Sequence, residues 1–183
     1  ITEEDPILTL NTNILGTKNV LEACKSNNVK KIILASSSEV YGEPLKTPIE
    51  ESDPAIPITS YGVSKIAAEE YVKAYAIVFG LKYTILRFFN AYGPGQSKDF
   101  VIPEFVNNAS QNNPILIHGS GSQVRSFCHI ADIARGVSSS IEKGDNETIN
   151  IGNANEPITI SELAKKVVNI TNSKSSIQFV PFA

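Results

Sequence analysis

Several common functional signals are missing from this sequence, and each absence removes a class of function. The 183 residues carry a net charge of −3 and contain no lysine and arginine cluster, which argues against a nucleic-acid-binding surface. The apolar runs are far too short to cross a membrane. Cys24, Cys128, His118 and His129 lack the spacing of a metal or redox site. We therefore expect no metal, and two reduced core thiols in a cytoplasmic protein.

A further absence concerns nucleotide cofactors. No G-x-G-x-x-G turn, which admits the pyrophosphate of a dinucleotide at a helix N-terminus, occurs in the chain. No methionine precedes Ile1, no signal-peptide pattern is recognised, and a helical pattern begins almost at once. The last strand pattern ends just before the last residue. We therefore expect this sequence to be a piece of a longer protein, lacking the first half of a nucleotide-binding fold.

The sequence does contain a regular alternation of helix and strand patterns. Gly42–Ser60 is rich in proline and acidic residues and predicts a loop over a sheet edge. Strand–helix–strand alternation predicts an α/β fold with a parallel sheet and right-handed crossovers. Helical spacing predicts helices over 5–26, 61–79, 103–112, 130–143 and, after a Thr159-x-x-Glu162 capping box, to about 171. Apolar runs predict strands over 30–36, 82–88, 115–118, 148–151 and 177–181.

The main candidate site combines Tyr61-Gly62-Val63-Ser64-Lys65 with Ser37. Tyr61 and Lys65 are four residues apart, so they share one face of the predicted helix. A nearby ammonium favours the phenolate, and we therefore expect Lys65 to lower the pKa of Tyr61. Ser37 follows the carboxyl end of a predicted strand, where open α/β sheets bind ligands. These groups predict proton transfer to and from a hydroxyl whose carbon loses a hydride.

Several motifs in a fixed order connect this site to a known family. The chain resembles the NAD-dependent epimerase/dehydratase family, which comprises extended short-chain dehydrogenase/reductases acting on nucleotide sugars. The resemblance covers nearly the whole chain. The motifs that carry it are Asn13-Ile14-Leu15-Gly16-Thr17, Ala35-Ser36-Ser37-Ser38-Glu39-Val40-Tyr41-Gly42, Tyr61-Gly62-Val63-Ser64-Lys65, Arg87-Phe88-Phe89-Asn90-Ala91-Tyr92-Gly93-Pro94 and Arg125-Ser126-Phe127-Cys128-His129-Ile130.

This resemblance implies an α/β fold with part of a Rossmann-like, doubly wound parallel sheet and a small mixed α/β substrate-binding lobe. It assigns residues 1–95 to the NAD-binding domain with the catalytic residues, and 96–183 mainly to the lobe, with about 145–152 returning to the main sheet. In the family, the glycine-rich turn and the acidic ribose-binding residue would precede Ile1. The residue that decides between NAD and NADP is then not in the chain, so NAD is expected and NADP stays open.

The resemblance also implies roles for individual residues. Tyr61 is expected to be the catalytic base, and Lys65 to lower its pKa and bind the nicotinamide ribose, so both also contact the cofactor. Ser37 occupies the family's Ser/Thr position and is expected to bind the reacting hydroxyl of the substrate. Further cofactor contacts are expected from Ser36, Phe88 and Phe89, and contacts to the substrate diphosphate from Asn90 and Arg125.

Structural alternatives remain for several residues. Arg125 can be a surface salt-bridge residue and Asn90 a turn residue. Asn13 matches a helix asparagine that supports the active site in related enzymes, or it is an ordinary helix residue. Arg87 is expected to have a structural part at the strand end, and Asp132 to cap a helix rather than lie near phosphates.

Glu39 bears on the type of reaction. All members of the family first oxidise the sugar 4-hydroxyl. Hydride return then gives an epimer, elimination of the 6-hydroxyl a 4-keto-6-deoxy sugar, and loss of a 6-carboxylate a pentose. Ser37-Ser38-Glu39 is similar to the stretch in dehydratases and the decarboxylase that places a catalytic carboxylate near C5. However, Ser38 stands where dehydratases commonly have aspartate, and Glu39 can be a surface carboxylate, so Glu39 leaves 4-epimerase and 4,6-dehydratase both open.

The predicted function is an NAD-dependent nucleotide-sugar epimerase/dehydratase, of the UDP-glucose 4-epimerase or dTDP-glucose 4,6-dehydratase type. A UDP-glucuronate decarboxylase and a non-catalytic NAD(P)-binding regulator are the alternatives. The full-length protein is expected to bind a nucleoside-diphosphate sugar, no nucleic acid and no membrane. It is also expected to form a homodimer through the helices around Leu10 and Tyr71. The 183 residues alone lack the first βαβ unit, so they are expected to be inactive.

Overall fold

The computed structural model of the chain describes residues 5–181 and divides into two compact units. Residues up to Phe89, together with Ala131–Gly152, form the first unit. Asn90–Ile130, together with residues from Asn153 onward, form the second. Residues 90–95, expected in the NAD-binding domain, lie in the second unit. Residues 131–144, expected in the lobe, lie in the first unit.

The elements follow the alternation expected from the sequence, and most lie within two residues of the predicted bounds. In chain order they are α1 (Pro6–Thr9), a π-helical segment (Leu10–Leu15), α2 (Gly16–Ser26), β1 (Lys31–Ser37), a 3₁₀ turn (Ser38–Tyr41), α3 (Ser60–Phe79), β2 (Lys82–Phe88), β3 (Ala91–Tyr92), α4 (Val101–Ser110), β4 (Ile115–His118), β5 (Val124–Ser126), β6 (Cys128–His129), α5 (Ile130–Glu142), β7 (Glu147–Ile151), β8 (Pro157–Thr159), α6 (Ile160–Ile170) and β9 (Ile177–Val180).

A three-stranded parallel sheet forms the frame of the first unit, which confirms the predicted α/β class. The strand order is β1-β2-β7, with β2 in the centre. Ser37 pairs in register with Phe88, and Phe88 pairs with Ile151, so the strands end at the same level. The central positions Ile85 and Leu86 are both fully buried, as expected for a parallel strand covered on two faces. This common end of the strands is where the sequence analysis places the site.

Local signals set the bounds of α3. The Thr59 side chain accepts a hydrogen bond from the Gly62 N–H at a distance of 3.0 Å, which caps the first turn. Gly80 ends the helix in the left-handed conformation, with φ of 70°. The predicted helix over 5–26 differs from the structure, because Leu10–Leu15 is π-helical and separates two α-helical pieces. Six residues are too few to reveal the period of this wider turn in the apolar spacing, and such a turn often marks a functional position.

Each unit has its own apolar core. In the first, Leu21 of α2 and Val72 of α3 pack with Leu81 and Ile85, and all four are buried. In the second, α4 and α6 cover the parallel pair β4–β9, and the Thr159–Glu162 capping box is present as predicted. The buried members of the second core are Phe105, Ala109, Ile115, Ile117, Leu163, Ala164 and Val167. Within residues 5–181, no helix is both long enough and apolar enough to cross a membrane.

The central strand provides a test of the first core. Replacing Ile85, which is fully buried, by alanine removes methylene groups and leaves a cavity. We expect the free energy of unfolding of the full-length protein to fall by about 2–5 kcal/mol, measured by urea denaturation. Ile141→Ala on α5 is the matched control, because that side chain is 63% exposed and its loss should change stability by less than about 0.5 kcal/mol. Equal effects of the two substitutions would contradict the assignment of the core.

Candidate active site

The carboxyl end of β1 turns sharply into the segment that carries Glu39. The Ser37 hydroxyl accepts a hydrogen bond from the Glu39 N–H at 3.2 Å and so caps the 3₁₀ turn. Gly42 ends this turn with φ of 62°, and a Cβ atom there would lie 2.1 Å from the carbonyl oxygen of Ile56. Only glycine fits such a conformation and such a close approach. The turn therefore fixes Ser37 and Glu39 at the end of the sheet.

The first turn of α3 packs directly on this 3₁₀ turn. A Cβ atom on Gly62 would lie 2.6 Å from the Glu39 carbonyl oxygen and 2.9 Å from Cβ of Pro57, so a larger residue cannot keep this approach. Tyr61 is thereby brought to the strand end. The glycine in the Tyr61–Lys65 motif thus has a packing reason that the sequence spacing did not reveal.

Three consecutive residues at the end of β1 each contact one face of α3. Lys65 Nζ donates to the carbonyl oxygen of Ala35 at 3.1 Å. The Ser36 hydroxyl donates to the carboxylate of Glu69. The Ser37 hydroxyl faces Tyr61 closely enough to lower the pKa of the Tyr61 hydroxyl. Because residues 61, 65 and 69 follow at intervals of four, they lie on three successive turns of the same helix face.

The structure therefore brings together the predicted trio of Ser37, Tyr61 and Lys65, but the electrostatics differ from the expectation. Burial raises the pKa of Tyr61, the hydrogen bond from Ser37 lowers it, and the negative charge of Glu39 raises it, with a net increase. The expected net lowering by Lys65 is thus wrong for this structure. Lys65 Nζ lies 5.4 Å from the centroid of the Tyr61 ring while it bonds to Ala35, and burial lowers its own pKa.

Glu39 is exposed, and its charge is near enough to raise the pKa of Tyr61. Its main chain also packs against Gly62 in the first turn of α3, so Glu39 lies at the same end of the sheet as Tyr61. Such a group can remove or deliver a proton at an atom next to the one that Tyr61 serves.

The cofactor contacts expected from neighbouring residues take different forms. Ser36 is buried, and its hydroxyl is bonded to Glu69, so its side chain faces the protein interior. Phe88 is the register partner of Ser37 at the end of the sheet. The Phe89 N–H donates to the Ile151 carbonyl oxygen at 3.0 Å, and its ring lies 6.2 Å from that of Tyr41, centroid to centroid.

A buried ion pair lies directly behind the trio. Arg87 donates from Nε and Nη2 to the two carboxylate oxygens of Glu69, at 3.0 and 2.7 Å, and from Nη1 to the Tyr41 hydroxyl at 2.8 Å. The Tyr41 hydroxyl in turn donates to Asn150 at 2.8 Å. The side chains of Arg87 and Glu69 are 5% and 0% exposed. Sequence reasoning gave Arg87 a structural part but missed Glu69, whose signal was a carboxylate in line with Tyr61 and Lys65.

The π-helical segment also contributes to the site. Asn13 donates from its side-chain amide to the Ser64 hydroxyl at 2.9 Å, and Ser64 donates to the Tyr61 carbonyl oxygen at 2.7 Å. Asn13 is therefore linked to the main chain of Tyr61 through one buried serine. Sequence reasoning identified Asn13 but missed Ser64, although Ser64 lies inside the motif.

Asn90 and Arg125 belong to the second unit. The Asn90 amide donates to the carbonyl oxygen of Ser126 at 3.1 Å, so Asn90 lies against the strand that carries Arg125. Arg125 is exposed, donates to the Val124 carbonyl oxygen at 2.8 Å, and lines a cavity of about 290 Å³ together with residues that include Gln123.

Asp132, at the start of α5, forms an ion pair with Arg135. Among residues 5–181, no group of three or more His, Cys, Asp or Glu side chains is arranged to hold a metal.

The opposing influences on Tyr61 predict shifts of opposite sign. Ser37→Ala removes the hydrogen bond that lowers the pKa of Tyr61, and Glu39→Gln removes the charge that raises it. We expect the pKa of Tyr61 to rise in the first variant and to fall in the second. Titration of ¹³Cζ-tyrosine signals in the full-length protein measures both, with Tyr61→Phe to identify the signal. Shifts in the same direction would show that these contacts do not control Tyr61.

Comparison with known proteins places this geometry in a family. The model of the NAD dependent epimerase/dehydratase family matches residues 2–152. The chain is 33% identical to a UDP-glucuronate 4-epimerase of Thermodesulfobacterium geofontis over 98% of its length and 55% of that protein. It is 35% identical to the human dTDP-D-glucose 4,6-dehydratase over 91% of its length and 48% of that protein. The chain therefore spans about half the length of these curated relatives.

A solved structure agrees with the sequence relatives. The UDP-glucose 4-epimerase of Thermotoga maritima, crystallised with UDP-glucose, superimposes with a TM-score of 0.95 and 33% sequence identity. The match covers 100% of this chain and 60% of that one. The whole length of this chain therefore shares its fold with part of that epimerase. Together with the family match, this shows that the chain belongs to the NAD dependent epimerase/dehydratase family.

Proposed function

We propose that the full-length protein oxidises the 4-hydroxyl of a nucleoside-diphosphate sugar with NAD and then converts the 4-keto sugar further. The observation that carries this proposal is the convergence of the Ser37 hydroxyl, the Tyr61 hydroxyl and the Lys65 ammonium at the end of β1. These are the donors and the acceptor that removal of a hydroxyl proton requires.

The residues present fit one end of a dinucleotide. Lys65 is half-buried and carries three N–H donors, one of which bonds to Ala35, so it can also donate to the hydroxyls of a ribose. When bound, NAD accepts a hydride from C4 of the sugar and can return it. The glycine-rich turn that would hold the pyrophosphate is not in this sequence. This chain would thus bind the nicotinamide side, through Lys65, Tyr61 and the end of β2 with Phe88 and Phe89; the buried Ser36 side chain supports β1 instead.

In this proposal, Tyr61 accepts the proton of the sugar 4-hydroxyl as C4 becomes a carbonyl carbon. Ser37 donates a hydrogen bond that stabilises the phenolate and orients the sugar oxygen. This interaction is important because the net pKa of Tyr61 is raised, and Ser37 lowers that pKa whereas burial raises it. The ammonium of Lys65, fixed by Ala35, adds positive charge on the same side.

Asn90 and Arg125 would bind the diphosphate of the substrate. Arginine suits this role because its planar fork meets phosphate oxygens bidentately. The exposed Arg125 guanidinium at the edge of a cavity of about 290 Å³ supports the assignment. Asn90 is fixed by its bond to Ser126, next to Arg125, which supports a shared role.

Two fates of the 4-keto sugar are supported by different observations. Return of the hydride to the opposite face gives 4-epimerisation and needs no further carboxylate. The similarity to UDP-glucose and UDP-glucuronate 4-epimerases supports this fate. The position of Glu39 beside Tyr61 supports 4,6-dehydration, because a carboxylate there can take the C5 proton acidified by the ketone while the 6-hydroxyl leaves as water. Decarboxylation of a 6-carboxylate is the third candidate, and a non-catalytic NAD(P)-binding role is the alternative to all three.

Product analysis separates these candidates. We expect the full-length protein with NAD to convert UDP-glucose, dTDP-glucose or UDP-glucuronate. Mass spectrometry and proton NMR identify the product of each reaction. An altered sugar of unchanged mass identifies epimerisation. A product that has lost water identifies dehydration, and a product that has lost carbon dioxide identifies decarboxylation. Tyr61→Phe should lower turnover at least about 100-fold because it removes the proton acceptor. Tight NAD binding with no product from any of the sugars, or wild-type turnover by Tyr61→Phe, would contradict the proposal.

Arg125 provides a separate test of substrate binding. Arg125→Ala should raise KM for the nucleotide sugar about tenfold or more, because a charge-assisted hydrogen bond contributes roughly 1.5–3 kcal/mol. Arg125→Lys should restore part of this, since it keeps the charge but loses the fork. Arg135→Ala, whose side chain is 77% exposed, is the matched control. A fall in kcat with unchanged KM would exclude the proposed role.

The assembly and the compartment are also proposals. Exposed apolar residues on the helices of the first unit support a homodimer, among them Leu10, Tyr71 and Ile77. A cytoplasmic location is supported by Cys24 and Cys128, because both are free thiols, which are usual in reducing compartments.

A further inference from the structure

Glu69 is a fully buried carboxylate that no step of the proposed reaction uses. It lies on the same face of α3 as Tyr61 and Lys65, one turn beyond Lys65. A buried charge is costly unless it is paired and fully hydrogen-bonded. Its neighbour Glu70, by contrast, is exposed and pairs with Lys73 on the surface. The position of Glu69 therefore needs an explanation beyond solubility of the helix.

The contacts of Glu69 reach the ends of β1 and β2 and the 3₁₀ turn that carries Glu39. Arg87, which binds both carboxylate oxygens, directly precedes Phe88 and Phe89 on β2. Ser36, which donates to the same carboxylate, directly precedes Ser37 on β1. Through Arg87, the network also includes Tyr41 at the end of the 3₁₀ turn that carries Glu39.

The bond from Ser36 to Glu69 is flanked by two other contacts between the same elements. Lys65 donates to the Ala35 carbonyl oxygen on one side, and the Ser37 hydroxyl faces Tyr61 on the other. The Ser36 bond is the one of the three that ends on a group anchored by a bidentate arginine. It is thus the firmest of the three links between the strand end and the helix.

We infer that Glu69 is a positioning residue, which holds the end of β1 against α3 so that the Ser37 hydroxyl reaches Tyr61. The inference rests on the proposed function, because it takes Ser37 and Tyr61 as the pair that handles the substrate proton. Glu69 itself touches neither the reacting atoms nor the substrate in this scheme.

Two effects of opposite sign distinguish positioning from simple electrostatics. Ser37 and Glu39 from the strand end act on the pKa of Tyr61, and Lys65 from its own helix faces the ring with Nζ 5.4 Å from the centroid. Loss of the negative charge of Glu69, which leaves Arg87 uncompensated, would favour the phenolate and lower the pKa of Tyr61. Loss of alignment weakens the hydrogen bond from Ser37 and raises that pKa. Only positioning predicts an upward shift.

The test compares Glu69→Gln and Ser36→Ala with the wild type in the full-length protein labelled with ¹³Cζ-tyrosine. Ser36→Ala removes one hydroxyl and keeps the ion pair, so it remains informative if Glu69→Gln does not fold, as judged by thermal melting and circular dichroism. We expect the pKa of Tyr61 to rise by about one unit in both variants. Turnover near neutral pH should fall about tenfold and recover at higher pH, with the KM of the nucleotide sugar unchanged.

Glu70→Gln is the matched control, because it removes the same charge from the adjacent, exposed position and should leave both pKa and turnover at wild-type values. A wild-type or lowered pKa of Tyr61 in either folded variant overturns the inference. The titration is read without turnover, so it separates the two hypotheses. If the wild type converts no nucleotide sugar, the proposed function fails, while the pKa of Tyr61 still decides whether Glu69 positions the strand end.

Discussion

The candidate site depends on the contact between the last residues of β1 and one face of α3. A strand end and a helix are joined there by the bonds of Ala35 to Lys65 and of Ser36 to Glu69, while the Ser37 hydroxyl faces Tyr61. Strand residues rise by about 3.3 Å each, whereas four helix residues rise by about 6 Å, so adjacent strand positions cannot stay in step with helix positions four apart. The side chains of lysine, glutamate and tyrosine have the lengths needed to bridge the difference. The spacing of the motif is therefore a requirement of packing as well as of chemistry.

The buried ion pair behind this contact has two energetic aspects. Burying Glu69 and Arg87 together costs desolvation energy, which the bidentate geometry and the bonds to Ser36 and Tyr41 offset. Breaking such a pair on one side typically costs about 3–5 kcal/mol, because the remaining charge is left uncompensated. The pair thus adds little net stability compared with apolar packing, but it penalises any displacement of the strand end. A site that needs an exact hydroxyl position benefits from that penalty.

Much of this arrangement could be predicted from the sequence, because it depends on local patterns. The apolar run of β1, the caps of α3 and the spacing of Tyr61 and Lys65 are all visible in single segments. The parallel sheet followed from their alternation. The π-helical segment at Asn13 and the short strands β3, β5, β6 and β8 could not be predicted, since segments of two to six residues are too short to show a period. The net increase in the pKa of Tyr61 could not be predicted either, because it depends on burial and on where the Lys65 ammonium is bonded.

The loop over residues 42–59 has a consequence for how the protein assembles during synthesis. Its residues Ile49 and Glu51 bond to Asn150, about one hundred positions later in the chain, and Asn150 also accepts the hydrogen bond from Tyr41. A ribosome emits roughly 5–20 residues each second, so these bonds stay unformed for several seconds after the loop has emerged. The covering of the strand ends is therefore a late event of folding, completed only when β7 enters the sheet. Any nascent chain that stalls before residue 150 carries the tyrosine and lysine of the site without the segment that fastens the loop.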